Sequence, residues 1–93
     1  MLDGKTLYLY KARMLRILSQ YQGIEQRTDQ LVTDAQININ MNVRPDDVRQ
    51  ALAALKDDGF ISRRLDDMRG EVWRITRLGH VENSKMSLEF DDR

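Results

Sequence analysis

Apolar residues recur at three- and four-residue steps along the first part of the chain, which is the spacing of a helix. From Leu7 to Tyr21 they line one face of an amphipathic helix. Asp3 or Thr6 precedes this stripe as a candidate N-cap, and Gly23 follows it as a terminator. The pattern predicts a first helix over residues 7–21, followed by a polar connector.

A second helix is predicted from a capping signal rather than from a long apolar stripe. Leu31-Val32 is long enough only for a bridge strand. Thr33 and Gln36 then have the spacing of a capping box, in which two side chains satisfy two free backbone amides. We expect the helix to run from Thr33 to about Met41, with Ile37 and Met41 on the same face.

The third helix has the clearest boundaries. Asn42-Val43-Arg44 predicts a tight turn, in which Asn42 is able to take a positive φ at modest cost. Pro45 follows at the first helical position, and Asp46 and Asp47 lie in the first turn, where negative charge suits the helix dipole. Gly59 is a natural C′ residue. The helix is predicted over residues 45–58, and its apolar stripe consists of Val48, Ala51, Leu52 and Leu55.

A β-hairpin follows this helix directly. Residues 60–65 and 71–76 alternate as strands, and residues 66–70 read as the turn between them. Trp73 and Ile75 lie on one face of the second strand, so Trp73 is interpreted as a core anchor, with a ligand-stacking platform as the alternative. Thr76 is a candidate cap for a short last helix that ends near Asn83.

Length and composition place the chain among small single-domain proteins. It has 93 residues, no cysteine, and no apolar run near the roughly 20 residues that span a bilayer. We expect one domain over residues 1–83 and a solvated acidic tail over residues 84–93. Because no apolar segment follows the N-terminus, we expect no signal peptide and no membrane association. We expect a cytoplasmic location instead. Lack of cysteine excludes disulfides and thiolate metal sites.

Charge argues against a strong, sequence-blind nucleic-acid binder. The chain carries 15 basic and 15 acidic residues, whereas such binders have a basic excess. Adjacent Asp pairs are explained better by caps and turns than by metal binding, because neighbouring helical side chains point about 100° apart. His80 is the sole histidine and has no defined partner for catalysis. The sequence therefore predicts no enzyme activity, no cofactor and no metal site.

The order of these elements resembles the winged helix-turn-helix, an α+β, mostly α fold of three helices, a β-hairpin wing and here a short C-terminal helix. The residues that carry the resemblance are 31–37, 42–45, 48–52, 55–61 and 73–79. Bacterial and phage regulators of the MarR and ArsR type are the most similar. Arg44 departs from the pattern, because the family usually has serine or threonine there as N-cap.

The resemblance implies a sequence-specific, DNA-binding transcriptional regulator. Its recognition helix, residues 45–58, would enter the major groove, and its wing, residues 60–76, would lie on the backbone. Arg49 could read guanine or hold a phosphate, Gln50 could read adenine, and Asp46 could accept from cytosine. The alternative is a face of solvated charges. The candidate DNA-binding residues are Arg44, Asp46, Arg49, Gln50, Ala53, Lys56, Arg63, Arg64 and Arg69.

Two further alternatives concern the wing and the partner. The basic wing residues could follow the DNA backbone, or they could form a charged edge strand that discourages aggregation. Lys11, Arg13 and Arg16 of the first helix are interpreted as solvated surface. That helix, with more apolar surface than one face buries, is the candidate homodimer interface. The alternative function is a winged-helix protein-protein interaction module in a replication, packaging or phage assembly.

Overall fold

Four helices and a small antiparallel sheet make up the structure, a computed structural model that describes the backbone of residues 2–91 and the side chains of residues 2–86. The sheet has the strand order β1-β3-β2, in which both neighbouring pairs are antiparallel. In chain order the elements are α1 (Gly4–Gln20), β1 (Gln26–Arg27), α2 (Thr28–Asn38), α3 (Pro45–Asp57), β2 (Ile61–Asp66), β3 (Gly70–Ile75) and α4 (Arg77–Asp91).

The first helix begins three residues before the predicted Leu7, because Asp3 caps it. The Asp3 carboxylate accepts a hydrogen bond of 2.7 Å from the Thr6 backbone N–H, and this bond lowers the pKa of Asp3. One face of α1 supplies core residues, among them Met14, Leu15 and Leu18, and the helix packs against α2, α3 and α4. The chain leaves α1 through Gln22 and Gly23, which have φ values of 54° and 84°.

The predicted start of the second helix is wrong. No strand forms at Leu31-Val32; the short strand lies earlier, at Gln26–Arg27, and α2 already begins at Thr28. Thr33 is therefore inside the helix, where its hydroxyl donates to the Asp29 carbonyl at 3.2 Å. Gln36 donates to the Val43 carbonyl at 3.2 Å instead of closing a capping box. The helix ends at Asn38 rather than near Met41.

The third helix forms within one residue of its predicted bounds, and it ends at Asp57. The tight turn before it lies at Met41–Asn42, where the Val43 N–H donates to the Asn40 carbonyl at 3.1 Å, rather than over residues 42–44. Pro45 is the first residue of α3, and Val43 before it is buried in the core. Asn42 does not take a positive φ; among the described non-glycine residues, Gln22 is the one that does. Gly59 has a φ of 82° and ends the helix, and the Phe60 N–H then returns to the Leu55 carbonyl at 3.0 Å.

The hairpin strands pair from Ile61↔Ile75 to Asp66↔Gly70, within one residue of the predicted bounds. Trp73 is 4% exposed, which confirms it as a core residue. Its indole N–H donates to the Thr28 hydroxyl at 2.8 Å, so the strand is fastened to the first turn of α2. The pairing of β1 with β3 adds a third strand to the expected hairpin.

The last helix is longer than predicted. The Thr76 hydroxyl accepts from the Gly79 N–H at 3.0 Å, as expected of a cap. The helix then continues past Asn83 to Asp91, and Met86 is buried. It includes most of the segment expected to be an acidic tail, of which residues 92–93 lie outside the described residues. The division into residues 1–83 and 84–93 stays a prediction. No helix in the described part of the chain is long and apolar enough to cross a membrane.

Candidate nucleic-acid interface

A cleft of about 320 Å³ separates α3 from the hairpin. Three cations border it, Arg49 and Lys56 from α3 and Arg63 from β2. Its remaining lining residues are Ala53, Asp57, Glu71 and Trp73. The cleft therefore combines residues from the predicted recognition helix and the predicted wing.

Glu71 lies at the centre of the hydrogen bonds in this cleft. One carboxylate oxygen accepts from Arg49 at 3.0 Å and from the Thr28 hydroxyl at 2.8 Å. The other oxygen accepts from Nε of Arg63. The hydrogen bond from Arg63 is the largest cause that lowers the pKa of Glu71, and burial opposes it. Glu71 thus joins α2, α3 and β2 around one carboxylate.

The alternation of the hairpin strands divides the wing arginines between two faces of the sheet. Arg63 is paired opposite Trp73 and points with Glu71 toward α3, whereas Arg64 is paired opposite Val72. Successive residues of a strand point to opposite faces, so Arg64 lies on the other side of the hairpin. The wing cations predicted as one group are therefore two groups with different surroundings.

On that other face, four charged residues form a closed group that we call the wing ion group: Glu25, Arg64, Asp66 and Arg69. Glu25 accepts from Arg64 at 2.6 and 2.8 Å and from Arg69 at 2.9 Å. Asp66 accepts from both arginines at 3.1 Å. The hydrogen bond from Arg64 is the largest cause that lowers the pKa of Glu25 to about 2. Two positive and two negative charges thus meet at the connection between α1 and β1.

The remaining candidate residues of α3 differ in their accessibility. Arg44, Asp46, Ala53 and Lys56 are exposed. Gln50 is half-buried, and its side-chain oxygen accepts a hydrogen bond of 3.1 Å from the Leu2 backbone N–H. Gln50 is thus engaged within the chain, whereas the sequence placed it on the exposed face of α3. Arg49 also borders a second cleft of about 210 Å³ with Thr28, Asp29, Val32 and Pro45.

The cations of α1 lie away from this cleft. Lys11, expected to be solvated, instead pairs with Asp58 just beyond α3 at 2.6 Å. Arg13 and Arg16 are exposed and border a separate groove with Ile17, Gln20 and Asn38. These arginines match the interpretation of a charged surface on the first helix.

Three residues of the site were missed by the sequence interpretation: Glu25, Thr28 and Glu71. Glu25 and Thr28 lie in a run of polar residues from 25 to 30, and Glu71 is a single acid near the start of a strand, so no spacing marked any of the three. Glu71 stands two residues before Trp73 on β3, so the two side chains point to the same face of the strand. This spacing is the one signal that could have placed Glu71 on the inward face. The acids matter because they set the surroundings of every wing arginine that was proposed to contact DNA.

Comparison with solved structures shows a winged helix-turn-helix fold. A transcriptional regulator from Clostridium thermocellum superposes with a TM-score of 0.75 at 16% identity, over 98% of this chain and 89% of that chain. A MarR-family regulator from Silicibacter pomeroyi gives a TM-score of 0.62 at 26% identity, over 83% of this chain and 47% of that chain. A second from the same species gives 0.70 at 24%, over 95% and 55% respectively.

This chain therefore spans about half the length of the two MarR-family proteins. No protein-family model and no curated protein matches the sequence.

Proposed function

We propose that this protein is a DNA-binding transcriptional regulator in which α3 enters the major groove and the hairpin lies along the backbone. The observation that carries the proposal is the convergence of Arg49, Lys56 and Arg63 on the cleft between the two elements. Cations that flank a recognition helix are placed to contact phosphates on both sides of the groove. The structural neighbours are transcriptional regulators by description, which supports the same function. A regulator of this kind would act in the cytoplasm.

The roles within α3 follow from side-chain chemistry. Arg49, 56% exposed at its side chain, can reach a guanine edge or a phosphate. Arg44 and Lys56 lie near opposite ends of the helix and suit phosphates on either side of the groove. Asp46 can accept from a cytosine amine, and such a carboxylate also rejects wrongly placed phosphates. Gln50 would have to release the Leu2 N–H before it could read an adenine.

The test is selection of duplexes from a randomised pool, followed by binding measured by fluorescence anisotropy. We expect a recovered duplex to bind tightly and its affinity to fall as salt rises. Arg49→Ala should weaken it by about tenfold, a typical loss for one charge-assisted contact. Arg13→Ala is the matched control, because Arg13 is an exposed arginine away from the cleft. Failure to enrich any sequence, with no salt-dependent binding, would contradict the proposal.

A homodimer through α1 is the partner arrangement that fits this function. Tyr8 of α1 is 42% exposed, and Leu78 and Val81 of the adjacent α4 are about half exposed, at 53% and 49%. We expect sedimentation to show a dimer that Tyr8→Glu dissociates. Leu65→Glu, at an exposed apolar position on the hairpin, is the control and should leave the dimer intact. A wild-type protein that sediments as a monomer at every concentration would contradict this arrangement.

The alternative function is a protein-protein interaction module, and two observations favour it. The chain has no net positive charge, and Arg64 and Arg69 are engaged by Glu25 and Asp66. A pull-down that yields one stoichiometric protein partner, lost on substitution of Ala53 by Glu, would support this function. Retention of that partner by Ala53→Glu would argue against contact through α3.

A further inference from the structure

An acid at the centre of a basic cleft needs an explanation. Glu71 lies between Arg49 and Arg63, and its side chain is 19% exposed. A carboxylate near a phosphate-binding surface repels the DNA and offsets a nearby cation. Electrostatics alone therefore predicts that the protein would bind DNA better without it.

The hydrogen bonds of Glu71 leave most of each guanidinium free. An arginine has five N–H donors in a planar fork. Arg49 uses Nη1 and Arg63 uses Nε to reach Glu71, and within residues 2–86 the other donors of both make no further hydrogen bond. The side chains of Arg49 and Arg63 are 56% and 37% exposed, so these donors are accessible from solvent.

The carboxylate itself is held by the core. Thr28 donates to Glu71 at 2.8 Å and accepts from the buried indole N–H of Trp73, also at 2.8 Å. This chain of bonds fixes the orientation of Glu71 through residues that are 8% and 4% exposed. Two long side chains that would otherwise be mobile are thereby held in one arrangement, which reduces the entropy lost on binding.

We propose that Glu71 is a positioning residue that holds Arg49 and Arg63 as a pair of guanidiniums for a backbone phosphate of duplex DNA, in the cleft between α3 and the hairpin. The inference rests on the proposed function and names how this cleft would contribute to it. Two arginines from two elements can bind one phosphate through several charge-assisted hydrogen bonds. Their common anchor sets the separation between α3 and the hairpin at which they do so.

Whether one substitution raises or lowers the affinity for DNA distinguishes a positioning role of Glu71 from simple neutralisation of positive charge. Glu71→Gln keeps the size of the side chain, removes its negative charge, and turns an amide N–H₂ toward one arginine. If Glu71 positions the arginines, affinity for a duplex recovered from the randomised pool falls by about tenfold. If it only offsets positive charge, affinity rises. Thermal denaturation checks that the variant is folded.

Asp67→Asn is the matched control for charge. Asp67 is exposed in the turn of the same hairpin, and within residues 2–86 its carboxylate makes no hydrogen bond or ion pair. Removal of its charge should strengthen binding by less than about threefold, since one long-range repulsion is lost. The two variants have the same net charge, so opposite effects on affinity cannot come from charge alone.

Salt dependence provides a readout that a purely structural role would not move. Loss of one phosphate contact reduces the slope of log affinity against log salt by about one. We expect this reduction in Glu71→Gln and not in Asp67→Asn. In an Arg63→Ala background, the effect of Glu71→Gln should fall to less than about twofold, because one partner of the pair is already absent.

The outcomes distinguish this inference from the proposed function. Wild-type binding with a weaker, shallower Glu71→Gln variant supports both. Wild-type binding with an equal or tighter Glu71→Gln variant overturns the positioning role and leaves DNA binding intact. Absence of binding by the wild-type protein overturns both.

Discussion

Gly79 shows how one residue can be fixed by its surroundings. It lies in the first turn of α4, where a Cβ would stand 2.0 Å from the carbonyl oxygen of Phe60. That oxygen also accepts the Thr76 N–H at 3.0 Å, so it cannot move without weakening the link between the hairpin and the end of α3. A Cβ at Gly79 would therefore disturb backbone, and it would also stand 2.8 Å from a side-chain carbon of Ile75.

We predict that Gly79→Ala lowers the free energy of unfolding by about 3 kcal/mol, at the upper end of the usual cost of overpacking. Urea denaturation measures this change. Gly4→Ala is the control, because Gly4 is also in a first helical turn and a Cβ there meets nothing within 4 Å. It should change stability by less than about 1 kcal/mol. Equal effects of the two substitutions would show that helix propensity, not the contact with Phe60, determines the result.

Arg44 supplies a cation to the proposed DNA-binding surface but no hydroxyl to cap its helix. It occupies the N-cap of α3 without a side-chain cap hydrogen bond in the described part of the chain. We predict that Arg44→Ser is more stable than Arg44→Ala by about 1 kcal/mol, because only serine supplies the hydroxyl. Both variants should weaken duplex binding equally, since both remove the cation. Equal stability of the two would mean that the hydroxyl does not cap this helix.

The elements differ in how far local sequence determines them. α3 and the hairpin were predicted within one residue because Pro45 and Gly59 mark the helix ends with their own backbone restrictions. The start of α2 was predicted wrongly at Thr33. The helix begins at Thr28 instead, where a threonine hydroxyl is needed by Trp73 and Glu71, both more than forty residues away. No local pattern records such a contact.

The wing ion group gives the hairpin a dependence on pH. The folded pKa of Glu25 is about 2, below its ordinary value of 4.5. A carboxyl whose pKa is lowered by folding stabilises the protein above its unfolded pKa, and that contribution is lost as pH falls toward the folded pKa. The stabilisation from Glu25 should therefore be complete above about pH 5 and disappear between about pH 4.5 and 2.

We predict that wild type is more stable than Glu25→Gln by a constant amount above about pH 5, and that this difference shrinks as pH falls below about 4.5 and is nearly lost at about pH 2. Urea midpoints measured across this range test the prediction. Asp67→Asn, in the same hairpin, is the control for removal of one carboxylate. A difference between wild type and Glu25→Gln that persists unchanged to pH 2 would show that the ion pairs with Arg64 and Arg69 do not contribute.

At the scale of the whole molecule, the cations of the candidate site were predictable but their surroundings were not. Motif order placed Arg49 on α3 and the other arginines on the wing, and the structure brings Arg49 and Arg63 together. Asp66 engages Arg64 and Arg69 within the hairpin itself. Glu25 comes from the α1–β1 connection and Glu71 from β3, and only the folded chain brings them to Arg64 and Arg49. The net charge of zero shows that acidic and basic residues are equal in number, but it does not show which acids lie beside which cations.

That arrangement predicts how DNA binding should respond to salt. Arg44, Arg49, Lys56 and Arg63 remain available at or near the cleft, whereas Glu25 and Asp66 engage Arg64 and Arg69 on the other face. Because Arg49 and Arg63 share one phosphate, three phosphate contacts give a slope of log affinity against log salt of about −2.7 per protomer, and two more from Arg64 and Arg69 would give about −4.5. We therefore expect the shallower slope for the wild-type protein.

Glu25→Gln should steepen this slope by up to about one and strengthen binding, because it removes the carboxylate that accepts two hydrogen bonds from Arg64 and one from Arg69. The full release of two cations is not expected, since Asp66 still accepts from both arginines. Glu71→Gln is expected to weaken binding and to make the slope shallower, because Glu71 faces the cleft and positions arginines that already lie there. Anisotropy titrations over a range of salt, with both variants on one duplex, measure the two slopes together. A Glu25→Gln slope equal to that of the wild type would mean that the wing ion group withholds no cation from DNA.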